Sequence, residues 1–214
     1  HLSIRRQRQM CIRDSHSSIR KAGELLITCF KKGSKVLLCG NGGSSADCEH
    51  ISGELVKRFS RPRSLPPDVR NALGPELSKE LHGGLPALSL PSMIGFHTAF
   101  ANDDNPVFAF AQQVVAFGKP GDVLLGISTS GNSKNVIHAA RTAKALKMVV
   151  ISLTGKNGGE LAPLSDVAVK APADEVPRIQ ELHLPIYHTL CEMVENALFS
   201  LSLIHISEPT RPLY

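Results

Sequence analysis

The sequence predicts a single α/β domain, built as a three-layer α-β-α sandwich around a mostly parallel sheet. Short apolar runs of strand length alternate along the chain with segments whose apolar residues repeat at helical spacing. Two of the apolar runs end in loops rich in glycine and hydroxyl side chains, and each loop leads into a helical segment. Alternation of this kind is typical of doubly wound sheets with helices on both faces.

The predicted strands are the short apolar runs bounded by glycine or turn residues, at 35–39, 87–90, 122–127, 148–153 and 166–169. The predicted helices show apolar residues at helical spacing, at 17–32, 44–59, 107–117, 132–146 and 178–199. We expect Ser44 or Ser45 to cap the second of these helices. The proline- and glycine-rich stretch at about 60–85 is long for a connection within a compact domain. It predicts an insertion or lid loop with a short helix near 77–81.

Composition limits the class of protein. The chain has 214 residues, of which 42% are hydrophobic and 20% are charged, as expected for one domain with a substantial core. No apolar run has transmembrane length, and no secretory signal is visible. Five scattered cysteines without a C-x-x-C pair favour free thiols in a reducing compartment. We therefore expect a cytoplasmic protein without a membrane partner.

The two ends of the chain differ in character from its middle. Residues 1–15 are arginine-rich without a clear amphipathic repeat, and residues 201–214 carry turn-forming residues without a helical stripe. Both resemble translated sequencing-adapter read-through, so we expect non-native tails around a domain at residues 16–200. Residues 1–15 supply +3 of the formal net charge of +5. The small charge of the remaining chain argues against a nucleic-acid partner, with a basic nucleic-acid-binding arm at 1–15 as the alternative.

Two strand-to-helix loops form a candidate anion site: Cys-Gly-Asn-Gly-Gly-Ser-Ser at 39–45 and Ser-Thr-Ser-Gly-Asn-Ser at 128–133. Glycine turns allow backbone N–H groups to approach an anion closely, and the hydroxyl groups donate further hydrogen bonds. For one loop alone, simple helix capping by serine is the alternative. Neither loop matches the dinucleotide-binding or the Walker pattern. The pair therefore predicts a compact phosphate ester as the ligand.

Two pairs of polar residues on predicted helices form a candidate metal or catalytic cluster. His50 and Glu54 are four residues apart, so their side chains are separated by about 40° around the helix axis. Gln180 and His188 are eight residues apart and separated by about 80°. An imidazole and a carboxylate completed by a second helix could bind Zn²⁺. On spacing alone, a surface pair and a hydrogen-bonded core histidine are the commoner interpretation.

Four motifs together resemble the sugar isomerase (SIS) domain and, within it, the phosphoheptose isomerases: CGNGGSSADCEH, GDVLLGISTSGNSKNV, LTGKNGGELAPLSD and RIQELHLPIYH. The resemblance covers about residues 17–199. It implies a flavodoxin-like doubly wound fold, a homotetramer of the full-length protein and one Zn²⁺ per subunit. It also implies conversion of sedoheptulose 7-phosphate to D-glycero-D-manno-heptose 7-phosphate for heptose biosynthesis.

The same resemblance implies roles for individual residues. The implied metal ligands are His50, Glu54, Gln180 and His188, with Glu54 as general base and His188 as general acid. The implied substrate-binding residues come from the two loops, an Asn-Asp step and two of the metal ligands: Asn41, Gly42, Gly43, Ser44, Glu54, Asn102, Asp103, Ser128, Thr129, Ser130, Ser133 and Gln180.

Two alternatives stay open at this point. One is a non-catalytic SIS protein that binds the bacterial replication initiator, a relative that lacks the acid–base pair. The other is a different phosphosugar isomerase, such as an arabinose 5-phosphate isomerase, or a sugar-phosphate sensor. Because Glu54 and His188 are both present, the sequence favours the enzyme.

Overall fold

The computed structural model describes the backbone of residues 2–199 and the side chains of residues 16–199. The tail predicted at 201–214 lies outside the described residues, as do the side chains of residues 1–15. That both ends are non-native therefore stays a prediction. No helix in the described part of the chain is both long enough and apolar enough to cross a membrane.

Helices and strands alternate along the described residues, as the sequence predicts. The strands are β1 (Val36–Gly40), β2 (Ala87–Ser89), β3 (Val123–Ser128), β4 (Val149–Thr154) and β5 (Val167–Lys170). The α-helices are α1 (Leu2–Lys31), α2 (Gly43–Val56), α3 (Pro67–Glu80), α4 (Ile94–Asp103), α5 (Ala109–Phe117), α6 (Lys134–Ala145) and α7 (Val176–Phe199).

The five strands form one sheet in the order β2-β1-β3-β4-β5, and every neighbouring pair is parallel. This confirms the predicted doubly wound α/β class, with a sheet that is wholly rather than mostly parallel. The strand order reverses between β1 and β3, since β1 continues to β2 on one side and β3 continues to β4 on the other. Ligands bind beyond the carboxyl ends of the strands at such a switch point, and both predicted anion loops lie there.

The core consists of two layers, one on each face of the sheet. Val36 and Leu38 of β1 pack with residues of α1, α2 and α7, whereas Leu37 and Cys39 pack with residues of α5 and α6. Successive strand residues point to opposite faces, so β1 contributes to both layers. The described side chains of β1 and β3 are all buried, which explains the continuous apolar runs in the sequence.

Helices α1, α2 and α4 differ from the prediction, as does α3 in the insertion. Helix α1 begins at Leu2 rather than near Ser17, since the sequence contains no proline or glycine before Gly23 to interrupt it. Helix α2 ends at Val56, a few residues before the predicted end. Helix α4 was not predicted; none of its residues is fully buried, and its half-buried rings, Phe96 and Phe100, lie four residues apart.

The predicted insertion contains a longer helix than expected. Helix α3 spans Pro67–Glu80 instead of 77–81, buries no residue and is kinked at Gly74, where φ is 73°. The ends of the insertion meet, because the N–H of Gly83 donates to the carbonyl of Arg63 at 3.1 Å. Residues 64–82 thus leave and rejoin the domain at one point.

Candidate active site

The first anion loop joins β1 to α2 through a glycine turn. Gly42 has φ of 55° and is the N-cap of α2, without a side-chain capping bond. The expectation that Ser44 or Ser45 caps this helix is wrong, because the helix already begins at Gly43 and Ser44 is buried in its first turn. Glycine fits this cap position because its φ is positive.

The second anion loop, between β3 and α6, is rich in internal hydrogen bonds. The hydroxyl oxygens of Ser128 and Ser133 lie 3.0 Å apart, within hydrogen-bond distance. The N–H of Asn132 donates to the hydroxyl of Ser130 at 3.1 Å. Ser133 is the N-cap residue of α6, but its side chain makes no capping bond. The Ser128 and Ser133 hydroxyls therefore bind each other, and the Ser130 hydroxyl binds the loop backbone.

A third loop, residues 155–160 after β4, supports the second and was not part of the predicted site. The N–H of Gly155 donates to the carbonyl of Thr129 at 2.9 Å, and the N–H of Glu160 donates to the side-chain oxygen of Asn132 at 3.0 Å. Gly131 faces Gly158 so closely that a Cβ on Gly131 would overlap the carbonyl group of Gly158. The signal in the sequence was the Gly-Lys-Asn-Gly-Gly run after a third parallel strand.

The first and second loops are joined by a reciprocal amide pair. Asn41 Nδ2 donates to Asn135 Oδ1 at 2.9 Å, and Asn135 Nδ2 donates to Asn41 Oδ1 at 2.8 Å. Asn41 was a predicted site residue, whereas Asn135 in the first turn of α6 was not. The pair fixes the distance between the two loops across the switch point of the sheet.

The predicted polar cluster forms where α2 packs against α7. His50 Nε2 lies 3.5 Å from Glu54 Oε1, and the ring centroids of His50 and His188 are 5.1 Å apart. His188 also contacts the ring of Phe59, with 5.2 Å between centroids. The structure thus brings three of the four predicted residues together: His50, Glu54 and His188.

The fourth residue, Gln180, lies nearer the first anion loop. Its side-chain amide packs directly on Gly43, where a Cβ would collide with it. Helix α7 continues through Pro185, so Gln180 and His188 belong to one helix. Glycine at the start of α2 leaves room for the Gln180 amide, which therefore lies beside the predicted phosphate site.

Tyr187 supports His50 from the side facing away from Glu54. The Tyr187 hydroxyl lies 2.9 Å from His50 Nδ1, within hydrogen-bond distance. Because Nδ1 of His50 faces the Tyr187 hydroxyl, Nε2 is the ring nitrogen that faces Glu54. Burial and the neighbouring Asp47 raise the pKa of Tyr187, so the hydroxyl stays protonated.

The electrostatics of α7 favour neutral histidines. Burial lowers the pKa of His188, and nearby His50 lowers it further, against the opposing effect of Glu54. Burial lowers the pKa of His183 to about 4, although a bond to the carbonyl of Thr154 opposes this. His183 is therefore a buried, neutral packing residue.

The donors in this cluster fit a divalent metal ion in chemistry, but they do not enclose one. The buried His188 Nε2 has no hydrogen-bond partner among the described residues, and His50 Nε2 lies 3.5 Å from Glu54 Oε1. Imidazole nitrogen and carboxylate oxygen are ligands that Zn²⁺ accepts. Within residues 16–199, however, no three His, Cys, Asp or Glu side chains lie in a ligating arrangement.

The predicted pair Asn102 and Asp103 lies at the C-terminal end of α4. Both residues are exposed, and Asn102 Nδ2 donates to the carboxylate of Asp103 at 2.7 Å. Among the described hydrogen bonds, none joins this pair to the two anion loops. Their role in substrate binding stays a prediction.

Comparison with known proteins identifies close relatives. A sequence model of the SIS domain matches residues 3–82 and 83–155. The phosphoheptose isomerase of Shewanella sp. (strain ANA-3) is 42% identical over 185 residues, which are 85% of this chain and 84% of that protein. The phosphoheptose isomerase of Helicobacter pylori is 42% identical over 179 residues, 84% of this chain and 83% of that protein.

Solved structures of similar proteins have the same fold. Phosphoheptose isomerase GmhA from Neisseria gonorrhoeae superposes with a TM-score of 0.73 at 35% identity, covering 88% of this chain and 92% of that chain. A phosphoheptose isomerase from Francisella tularensis superposes with a TM-score of 0.75 at 31% identity, covering 91% of this chain and 95% of that chain.

Proposed function

Because the chain belongs to the phosphoheptose isomerases of the SIS domain family, we propose that it converts sedoheptulose 7-phosphate to D-glycero-D-manno-heptose 7-phosphate with Glu54 as general base and His188 as general acid. The observation that carries these roles is the packing of Glu54, His50 and His188 where α2 meets α7. The Glu54 carboxylate and the imidazole rings of His50 and His188 lie close together there.

The reaction requires two kinds of proton transfer. A ketose becomes an aldose when one proton leaves C1, an enediol forms and C2 receives a proton. A carboxylate such as that of Glu54 is suited to move the carbon-bound proton. The two sugar oxygens also exchange a proton, and an imidazole such as that of His188 is a side chain that can donate and accept one.

Substrate binding is assigned to the loops at the switch point. The hydroxyls of Ser128, Ser130 and Ser133 and the backbone of the Gly42 turn are suited to bind the phosphate group. Phosphate binding far from C1 and C2 supplies energy that holds the reacting carbons in place. The Gln180 amide, which packs on Gly43, is suited to a sugar hydroxyl.

A divalent metal ion, taken as one Zn²⁺ per subunit, would be held by His50, Glu54 and His188, with Gln180 as the fourth ligand. When bound, it would stabilise negative charge on a sugar oxygen as a Lewis acid. The unpartnered Nε2 of His188 and the Tyr187 bond to His50 support this assignment. The side chains would have to close around the ion.

Assembly and location follow the same family expectation. We propose a homotetramer located in the cytoplasm. Four cysteines within the described residues (Cys29, Cys39, Cys48 and Cys191) are free and buried, which is compatible with a reducing compartment. Sedimentation velocity that finds only monomers at micromolar concentration would contradict the tetramer.

Turnover of sedoheptulose 7-phosphate with added Zn²⁺ tests the proposed activity. We expect Glu54→Gln and His188→Gln each to lower kcat by about 10²–10⁴-fold, the usual contribution of a general acid or base. Glu24→Gln is the control, since Glu24 is exposed on α1 and pairs with Arg20 at the surface. A folded wild-type protein without turnover would overturn the activity, and variants with wild-type kcat would overturn the residue roles.

A further inference from the structure

A fully buried ion pair lies behind the proposed catalytic cluster. Arg63 Nε lies 2.8 Å from Glu195 Oε1, and both side chains are 0% exposed. The Glu195 carboxylate also accepts from the backbone N–H groups of Phe59 at 2.9 Å, Ser60 at 2.7 Å and Arg61 at 2.9 Å. An apolar pair of similar volume is often as stable as a buried ion pair. Stability alone therefore does not explain why a buried ion pair is found at this place, next to the end of α2.

The other donors of Arg63 reach the last turn of α2. Nη1 donates to the carbonyl of Leu55 at 2.5 Å, and Nη2 donates to the carbonyl of Glu54 at 2.9 Å. Helix α2 ends at Val56, and the last carbonyls of a helix lack partners within the helix. A cation at this end also complements the helix dipole. The guanidinium group of Arg63 thus fixes the turn that carries the Glu54 side chain.

We propose that Arg63, held by Glu195, is a positioning residue for Glu54. The proposal rests on the role of Glu54 as general base given above. A base must lie within hydrogen-bond reach of the proton that it removes, whereas the terminal turn of a helix tends to fray. The planar guanidinium group of Arg63 restrains this turn, since it donates to two successive carbonyls at once.

The position of Arg63 predicts an effect on the chemical step rather than on binding. The first anion loop is at the N-terminus of α2, about 16 Å along the helix from Glu54 at 1.5 Å per residue. Loosening the C-terminal turn leaves the phosphate site in place. A displacement of about 1 Å at the reacting centre can cost about 10²-fold in rate. Loss of the two hydrogen bonds from the Arg63 guanidinium group is therefore expected to lower kcat while KM stays nearly constant.

The test compares Arg63→Lys with Asp122→Asn. Lysine keeps the charge but cannot contact Glu195 and both carbonyls together. Asp122 forms another largely buried ion pair, with Lys35 Nζ 2.6 Å from Asp122 Oδ2, at the amino ends of the strands. Asp122→Asn therefore controls for the loss of a buried ion pair away from Glu54. Both variants are assayed at a temperature at which circular dichroism shows them to be folded.

For Arg63→Lys we expect kcat to fall about 10- to 100-fold with KM within about threefold of wild type. We also expect a larger primary isotope effect with sedoheptulose 7-phosphate deuterated at C1. Amide hydrogen exchange in residues 55–60 should be faster in this variant. Asp122→Asn should show none of these changes. A wild-type kcat for Arg63→Lys, or equal losses of kcat in both variants, would overturn the proposal.

Two further variants keep the outcome decisive. If Arg63→Lys does not fold, Glu195→Gln replaces it, since glutamine keeps the shape of the side chain but binds Arg63 more weakly. We again expect a lower kcat with a nearly constant KM. The absence of this result would overturn the proposal. Glu54→Gln distinguishes failure of the proposed base from failure of the positioning role of Arg63. If Glu54→Gln turns over at the wild-type rate, Glu54 is not the general base. If Glu54→Gln is inactive while Arg63→Lys keeps a wild-type kcat, only the positioning role of Arg63 is overturned.

Discussion

Replacing Gly131 with alanine perturbs the phosphate site at one backbone position. Gly131 has φ of 68°, and a Cβ there would overlap the Gly158 carbonyl and lie 2.8 Å from the N of Gly159. The left-handed conformation costs a non-glycine residue about 1–2 kcal/mol, and overpacking against backbone adds about 1–3 kcal/mol. We expect the free energy of unfolding to fall by about 2–5 kcal/mol. The second loop must also move away from the third, so we expect KM for the sugar phosphate to rise about tenfold, which corresponds to about 1.4 kcal/mol of binding.

Gly33→Ala is the matched control for this substitution. Gly33 has φ of 71°, but no described atom lies within 4 Å of the position that a Cβ would occupy, so only the conformational cost applies. Urea denaturation should show a loss of about 1–2 kcal/mol, and KM should not change. If Gly131→Ala loses no more stability than Gly33→Ala and keeps a normal KM, the close packing of the second and third loops is not what shapes the phosphate site.

Three other predictions concern the contacts around the site. Asn135→Ala breaks the amide pair with Asn41 and should weaken binding of inorganic phosphate by about 1–2 kcal/mol; calorimetry that finds an unchanged Kd would contradict this. His183 has a folded-state pKa of about 4 against 6.5 unfolded, so the unfolded chain binds the extra proton and stability is lost as pH falls from 6.5 to 4. In urea titrations at pH 7 and pH 4, the free energy of unfolding of His183→Gln should fall by about 3 kcal/mol less than that of the wild type. An equal fall in both proteins would contradict the neutral, buried state of His183. Tyr187→Phe removes the support of His50 and should weaken Zn²⁺ binding by about 10- to 100-fold in a chelator competition; equal affinity would show that the hydroxyl does not orient His50.

The fold could be predicted because its main signals are local. The buried runs of β1 and β3 are continuous in the sequence, and each is followed by a loop that leads into a helix. Helix α4 gave a weaker signal, because none of its residues is fully buried and its aromatic pair at helical spacing, Phe96 and Phe100, is only half-buried. The same applies to α3, in which no residue is fully buried.

The parts of the site that the sequence predicts are those with a local signal: the two glycine- and hydroxyl-rich loops and residues spaced along one helix. His50 and Glu54 are neighbours on α2, so their contact follows from helix geometry. The Asn41–Asn135 pair joins residues 94 apart, and the Arg63–Glu195 pair joins residues 132 apart. Such contacts depend on how the sheet brings distant elements together, which periodicity does not encode. Gln180 illustrates the same limit, since its contact with Gly43 depends on how α7 packs on the first loop.

The central claim is that Glu54 removes the carbon-bound proton of a sugar phosphate held by the two anion loops. Sedoheptulose 7-phosphate that carries deuterium at both C1 positions tests it directly, with NMR of the C1 signal as the measurement. The wild-type protein should yield a product with one deuterium left at C1, and Glu54→Gln should leave both in place over the same time. Loss of C1 deuterium at the wild-type rate in Glu54→Gln would contradict the account.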